Sequence, residues 1–198
     1  MKFTEECIYH LYNRGNKKQR TFFNEENYLY FLRKVRAELL PYCEILAYCL
    51  MPNHFHFIIY IKRKELNALD YENKKSKTLN NAIGILLRSY TRSMQAQENF
   101  TGSLFQQKTK AKELIDTDNA TINYLSLCAH YIHFNPLKAK IVENLEDWKY
   151  SSYLDYMDLR NGTLCNRPMF YSIAGISENH FIAESACHPM TPEYLKED

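Results

Sequence analysis

None of the six cysteines (Cys7, Cys43, Cys49, Cys128, Cys165 and Cys187) forms a Cys-x-x-Cys pair, so neither a zinc ribbon nor a dithiol redox motif is indicated. No apolar run reaches the length of a bilayer span. Residues Met1 to Glu6 do not lead into the hydrophobic region of a secretory signal. The expectation is therefore a cytoplasmic protein with no membrane partner and reduced thiols, although an even cysteine count permits disulfides. Internal repeats and low-complexity tracts are also missing. Charge of neither sign dominates, at a net +2.

The 198 residues suit one domain, with room for an appendage and a sizeable core. A hydrophobic content of 45% and a charged content of 24% are those of a globular protein. Sixteen tyrosines are enough that many must lie near the surface, where rings can stack on bases, though tyrosine is also an ordinary strand residue. The small net charge hides an asymmetry. Residues 156–198 carry −3 and residues 1–155 carry +5. The positive excess clusters at Arg14, Lys17, Lys18 and Arg20, at Lys62-Arg63-Lys64, at Lys74-Lys75-Ser76-Lys77, and at Lys108, Lys110 and Lys112. Such clusters suit a phosphate backbone, but each one alone also fits a solvated loop.

Hydrophobic periodicity gives an element order. Cys7 to Asn13 alternates and reads as a strand. A helix follows from Asn24, with Glu25 and Glu26 in its first turn, an apolar face at Tyr28, Phe31, Leu32, Val35 and Leu39, and Pro41 beyond it. Cys43 to Leu50 is a second strand, and Pro52-Asn53 turns it into a third, which predicts a hairpin. A polar connection over Glu65 to Lys77 precedes a helix from about Asn80 to Gln97, and Leu104 to Ile115 contains a fourth strand. The order β-α-β-β-α-β is that of a ferredoxin-like α+β fold, an antiparallel sheet with two helices on one face and the other face open. A third helix, capped near Asp116 to Asp118, runs towards Asn135-Pro136 with Ile122, Leu125, Ala129 and Ile132 as its packing stripe. Tyr124, Cys128, Tyr131 and Asn135 form a second row on it. Trp148 to Tyr153 reads as a packed extension, and from about Asn161 no firm structure is assigned. Residues 1–155 are taken as the main domain and 156–198 as a C-terminal extension packed on it.

The most informative feature is the pair His54 and His56. Strand residues two apart project from one face. Phe55, Phe57, Ile59 and Ile61 then point towards the helices, and His54, His56, Ile58 and Tyr60 point away. Folding accounts for the phenylalanines but not for the imidazoles. Two neutral imidazoles on one face make half a metal site. Rings solvated on an open face, or hydrogen-bonded in a core, account for the same pair.

Five ordered blocks carry a family resemblance: Tyr9-His10-Leu11-Tyr12-Asn13-Arg14-Gly15-Asn16, Leu50-Met51-Pro52-Asn53-His54-Phe55-His56, Gly102-Ser103-Leu104-Phe105-Gln106, Tyr131-Ile132-His133-Phe134-Asn135-Pro136 and Trp148-Lys149-Tyr150-Ser151-Ser152-Tyr153. In order and spacing they resemble the single-tyrosine HUH transposases, most of all the REP-associated branch, over residues 7–155. The resemblance implies a divalent metal, Mg²⁺ or Mn²⁺, and cleavage and rejoining of single-stranded DNA beside imperfect hairpins. It places the nucleophile on Tyr131, the metal-binding histidines on His54 and His56, and a further polar ligand on Asn135. Tyrosine attack would leave a 5′-phosphotyrosine and a free 3′-OH. Tyr124 is the fallback nucleophile. His133 is a candidate proton shuttle or phosphate contact, although a helix-surface role fits it better, and the family often has a basic residue where His130 stands. Glu113 and Asp116 are possible carboxylate ligands.

Arg14, Lys17, Lys18 and Arg20 follow a strand end in a glycine-containing loop and are the expected grip on DNA, with Gln106, Lys108 and Lys110. Phe105 and Gln107 lie in or beside a matching block and are expected to line the substrate groove. The expected partner is single-stranded DNA bearing hairpins, with a homodimer possible. Two rival functions remain open at this level: a domesticated, non-catalytic hairpin-binding protein, and a metallohydrolase that uses water in place of tyrosine.

Overall fold

Three alternating segments pair along their lengths, and a short fourth strand completes the sheet. The computed structural model describes residues 1–63, 78–114 and 124–187. In it β1 (Ile8–Arg14), β2 (Cys43–Met51), β3 (His54–Ile61) and β4 (Lys110–Glu113) lie in the order β2-β3-β1-β4, every pair antiparallel. Helix α1 (Glu25–Leu39) links β1 to β2, and α2 (Leu79–Glu98) precedes β4. This is the expected ferredoxin-like split arrangement. At the start of α1 the Asn24 side chain accepts from the Asn27 N–H while the Asn27 side chain accepts from the Asn24 N–H, a reciprocal cap.

Strand parity sets the two faces. Tyr9 and Leu11 of β1 and Phe55, Phe57, Ile59 and Ile61 of β3 bury against Phe31, Val35 and Leu39 of α1 and Ile83, Leu86 and Tyr90 of α2. Each large side chain so buried contributes about 1.5–3 kcal/mol. A bulge between Ile45 and Ala47 flips the parity of β2. Cys43 and Ile45 face this core before the bulge, and Tyr48 and Leu50 face it afterwards. Cys49 and Met51 are thereby left on the opposite face, paired with His56 and His54.

That opposite face is covered. Helix α3 (Tyr124–Lys138) packs on it with α4 (Tyr153–Tyr156), α5 (Arg167–Ala174) and α6 (Glu178–Ala186). Together they build a second core from Ala47, Ile58, Leu125, Ala129, Ile132, Tyr156, Phe170 and Phe181. Residues beyond 160 thus carry regular structure that the sequence pattern did not reveal. Helices of eight and nine residues show barely two turns of periodicity. Their local signals are the N-caps Asn166 and Ser177, Pro168 in the first turn of α5, and Gly175 in a left-handed C-cap at φ 64°. Helix α3 also runs past Asn135 to Lys138 with Pro136 inside it. Burial of Phe134 against Leu145 and Tyr153 outweighs the preference of a pre-proline residue for extended backbone.

The segment Trp148 to Tyr153 lies along the outer edge of β2. Trp148 Nε1 donates to the Leu50 carbonyl at 3.0 Å, the Leu50 N–H donates to Tyr150, and Ser152 Oγ accepts from the Tyr48 N–H at 2.9 Å. This extension shields a sheet edge that would otherwise present unpaired backbone. All six cysteines are free thiols. Among the described residues, no helix is long and apolar enough to cross a membrane. The polar connection over 65–77, with Lys74, Lys75 and Lys77, lies outside the described residues, as do Lys64 and the expected cap of the third helix at Asp116 to Asp118 with Ile122.

Candidate active site on the histidine face of the sheet

Antiparallel register brings four aromatic side chains together. Tyr12 of β1 pairs with His56 of β3, and Arg14 pairs with His54. His10, one pleat further, shares their face. His10 Nε2 lies 2.9 Å from His56 Nδ1. The His10 ring stacks on Tyr12 at 4.7 Å and on His56 at 5.2 Å. His54 stands edge-on to His56 at 5.0 Å.

His54 is held from outside the cluster. Its Nδ1–H donates to Asn53 Oδ1 at 2.6 Å, and Asn53 Nδ2 donates in turn to the Lys18 carbonyl at 3.2 Å. The Asn53 amide orientation therefore places the His54 proton on Nδ1 and the lone pair on Nε2. His56 is tied through Nδ1 as well, to His10. For His54 this leaves Nε2 as the nitrogen whose lone pair can serve as a ligand, and the same holds for His56 when its Nδ1–H is the donor to His10.

Burial keeps these rings neutral. His54 is lowered to about 4 by burial and by the nearby Arg14. Burial, with the charge of Lys112, lowers His10 to about 3. His56 lies well below the usual range through burial, then through His54, His10 and Arg14.

Helix α3 lays Tyr131 across this cluster. Its ring centroid is 5.9 Å from that of His56 and 6.2 Å from that of His10, both edge-on. Lys138 Nζ sits 5.2 Å over the Tyr131 ring, its pKa lowered by burial. Tyr131 is buried, at 9% exposure. Asn135 follows one turn later, and its Nδ2 donates to the Tyr131 carbonyl at 3.0 Å, which leaves Oδ1 as its acceptor. Tyr124 stands two turns earlier, roughly 10 Å along the axis.

The other histidines of α3 point elsewhere. His133 is 1% exposed, with Nε2 2.8 Å from Ser152 Oγ and its ring against Tyr153, Tyr156 and Phe181. Neither a helix-surface position nor a proton shuttle fits that burial. His130 stacks on Phe181 at 4.2 Å and contacts Glu184 at 3.2 Å and Ser185 at 3.1 Å. Glu113 accepts from the Tyr9 hydroxyl at 3.3 Å, and Tyr9 belongs to the helix-side core, away from the imidazoles. Asp116 lies outside the described residues.

The basic residues divide between two sides of the sheet. Lys110 pairs with Tyr12 and hangs 5.7 Å over its ring, and Lys112 pairs with His10. Both flank the imidazole face with Arg14. Lys17, Lys18 and Arg20 are exposed in the turn after β1, where Lys17 and Lys18 adopt left-handed backbone at φ 52° and 62°. That turn is clamped: the Gly15 N–H donates to Asn53, and Gln19 Nε2 donates to the carbonyls of Ser103 and Leu104 at 3.0 and 2.8 Å. A Cβ on Gly15 would overlap the Gln19 carbonyl oxygen, so the turn requires glycine there. The Gln106 N–H donates to the Arg14 carbonyl, while the side chains of Gln106, Gln107 and Lys108 are exposed and Phe105 is buried. Sequence patterning singled out none of His10, Tyr12, Asn53 and Lys138 as site residues. Shared parity in β1 was the one available signal for His10 and Tyr12.

No protein-family model matches the chain. A Haemophilus influenzae protein assigned provisionally as a REP-associated tyrosine transposase is 26% identical over 128 residues, which make up 61% of this chain and 64% of that protein. The chain thus spans less than two thirds of that relative's length. Among solved structures, a REP-associated tyrosine transposase bound to a REP hairpin matches with a TM-score of 0.54 and 14% identity, covering 80% of this chain and 83% of that one. The chain resembles the REP-associated tyrosine transposases in sequence and shares the fold of the solved one.

Proposed function

We propose that the protein cleaves and rejoins single-stranded DNA beside hairpins, with Tyr131 as nucleophile and a divalent cation, Mg²⁺ or Mn²⁺, held by His54 and His56. The observation that carries this reading is the Tyr131 ring set edge-on against His56 within one chain. Two neutral imidazoles, each held through Nδ1, fit a cation through Nε2, and Asn135 would add its Oδ1. When bound, the ion would supply Lewis acidity and orient a phosphodiester.

The phenolic oxygen of Tyr131 attacks phosphorus, and its proton passes to solvent. The Oη–P bond forms as the P–O3′ bond breaks, and the departing oxygen takes a proton to become a 3′-OH. The DNA is left joined to the protein as a 5′-phosphotyrosine. The ammonium of Lys138 over the ring favours negative charge on the phenol as it deprotonates. Attack by another 3′-OH reverses the step and joins strands without ATP. Arg14, Lys17, Lys18, Arg20, Gln106, Lys108 and Lys110 supply phosphate contacts. The similarity to REP-associated tyrosine transposases, one of them solved with a REP hairpin, supports a hairpin substrate. A site that joins Tyr131 to His56 in one chain supports cis assembly. A homodimer would then align two such sites.

A second reading, a non-catalytic hairpin-binding protein, is favoured by one observation, the burial of Tyr131. Incubation with Mn²⁺ and a hairpin-flanked single strand separates the readings. A covalent protein–DNA adduct that disappears in Tyr131→Phe but survives in Tyr124→Phe supports cleavage. Binding without any adduct supports the second reading, and cutting that persists in Tyr131→Phe supports hydrolysis by water.

A further inference from the structure

The turn after β1 and the turn between β2 and β3 are locked to each other. The Gly15 N–H donates to the Asn53 carbonyl at 2.7 Å, and the Thr21 and Phe22 N–H groups donate to the Pro52 carbonyl at 2.8 and 3.2 Å. The Asn53 side chain adds a bond from Nδ2 to the Lys18 carbonyl. The Tyr90 hydroxyl of α2 donates to the Thr21 carbonyl at 2.8 Å, which fixes the returning arm of the turn to the helix layer. Between these anchors Lys17 and Lys18 hold left-handed backbone that L side chains rarely adopt. Such a conformation persists where its surroundings over-determine it. Here the surroundings are the hydrogen bonds to Pro52 and Asn53, and the residues so held are two of the expected phosphate contacts.

Asn53 is the point where this turn meets the imidazoles. Its amide oxygen accepts from His54 Nδ1–H at 2.6 Å, and its amide nitrogen donates to the Lys18 carbonyl at 3.2 Å. One planar amide thus stands between a candidate metal ligand and the backbone of a candidate DNA-binding residue. The two bonds polarise each other. A cation on His54 Nε2 draws charge through the ring and makes Nδ1–H a stronger donor. That bond withdraws charge from the amide oxygen, so Nδ2–H becomes a stronger donor to Lys18. In the other direction, a phosphate gripped by Lys17 and Lys18 fixes the Lys18 carbonyl, which holds the amide plane and with it the His54 ring. A ring already held in its ligating orientation loses less freedom when it takes a cation. Both directions carry the same sign, as linkage requires.

The junction needs this residue type. A primary amide offers one acceptor and one donor group fixed in a plane. Aspartate would keep the acceptor for His54 but would set a second oxygen against the Lys18 carbonyl, which repels it.

We propose that Asn53 is a positioning residue that couples the two halves of the site, so that hairpin DNA on the β1 turn and a divalent cation on the imidazoles each raise affinity for the other. The proposal rests on the hairpin-DNA reading above. Its test measures the affinity of the full chain for a blunt hairpin by fluorescence anisotropy, in EDTA and in saturating Mn²⁺ at matched ionic strength. A blunt hairpin has no scissile flank to meet the ion, so direct contact between ion and phosphate does not enter. The ratio of the two affinities is the coupling factor, and a His54→Ala/His56→Ala chain gives the reference for Mn²⁺ held by the DNA itself. The native ratio is expected to exceed that reference about fivefold. In Asn53→Asp the ratio is expected to fall to the reference, whatever the added charge does to each affinity alone. Lys17→Gln/Lys18→Gln gives a second reading at exposed positions, with Asn53 in place and two of the phosphate contacts removed. Its ratio is also expected to fall to the reference. A native-like ratio in either variant would overturn the proposal. So would a native ratio equal to the reference in a chain that binds both the hairpin and, by calorimetry, Mn²⁺. Failure of the native chain to bind the hairpin or Mn²⁺ would overturn the functional reading and this proposal together.

Discussion

His10 Nε2 and His56 Nδ1 are 2.9 Å apart in a buried contact. The contact couples the tautomers of the two rings: with His10 Nε2 as acceptor, His56 carries its proton on Nδ1 and its lone pair on Nε2, the arrangement that Asn53 imposes on His54. Replacing His10 by phenylalanine keeps an aromatic ring at this position, somewhat larger than imidazole, but leaves His56 Nδ1 without this polar neighbour. His10→Phe is expected to weaken Mn²⁺ binding about 10- to 100-fold, read by titration calorimetry on the folded variant. Unchanged affinity would show that His10 does not position His56.

Asp155 anchors the C-terminal extension. It is 1% exposed, and its carboxylate accepts from Arg160 Nε at 2.7 Å, from Arg160 Nη2 at 2.7 Å and from the Gly162 N–H at 3.0 Å. Arg160 also donates to the carbonyls of Lys149 and Ser151, which ties the pair to the segment shielding β2. Removing one partner of a buried pair typically costs 3–5 kcal/mol, and partial exposure of Arg160 puts this one at the lower end. Asp155→Ala is expected to lower stability by about 3 kcal/mol in urea denaturation. A loss under 1 kcal/mol would show that the extension is held without it.

Acid should loosen the second core. His133 is fully buried and held well below its ordinary pKa, chiefly by desolvation, and His130 is lowered for the same reason. In the unfolded chain both protonate near 6.5. Below that pH the unfolded state binds more protons than the folded one, so stability falls as pH drops. Their contribution is fully present above about 6.5 and is lost progressively towards the lower folded-state values. Urea midpoints measured with chelator at pH 7.5, 6.0 and 5.0 are expected to decline in that order. A His133→Gln chain is expected to show a flatter decline, and equal slopes would contradict the assignment.

Much of the scaffold follows from periodicity alone. Alternation in β1 and β3 fixes which residues share a face, because a strand's side-chain period is a local property of the backbone. The capped start of α1 and the Pro52-Asn53 turn are local in the same sense. His54 and His56 could therefore be assigned to the face opposite α1 and α2 before any coordinates.

The strand register and the rotation of α3 could not be read in that way. Pairing Tyr12 with His56 sets His10 beside the metal-site candidate, and a shift of two residues would preserve every parity while separating them. Helix α3 is buried on nearly all sides, so its sequence carries no polar stripe to say which side meets the sheet. Packing of Leu125, Ala129 and Ile132 against Ala47 and Ile58 turns Tyr131 to the imidazoles and His130 and His133 to Phe181. The chain itself determined faces and element types, which depend on neighbours a few residues apart. Only long-range packing decided which side chains meet.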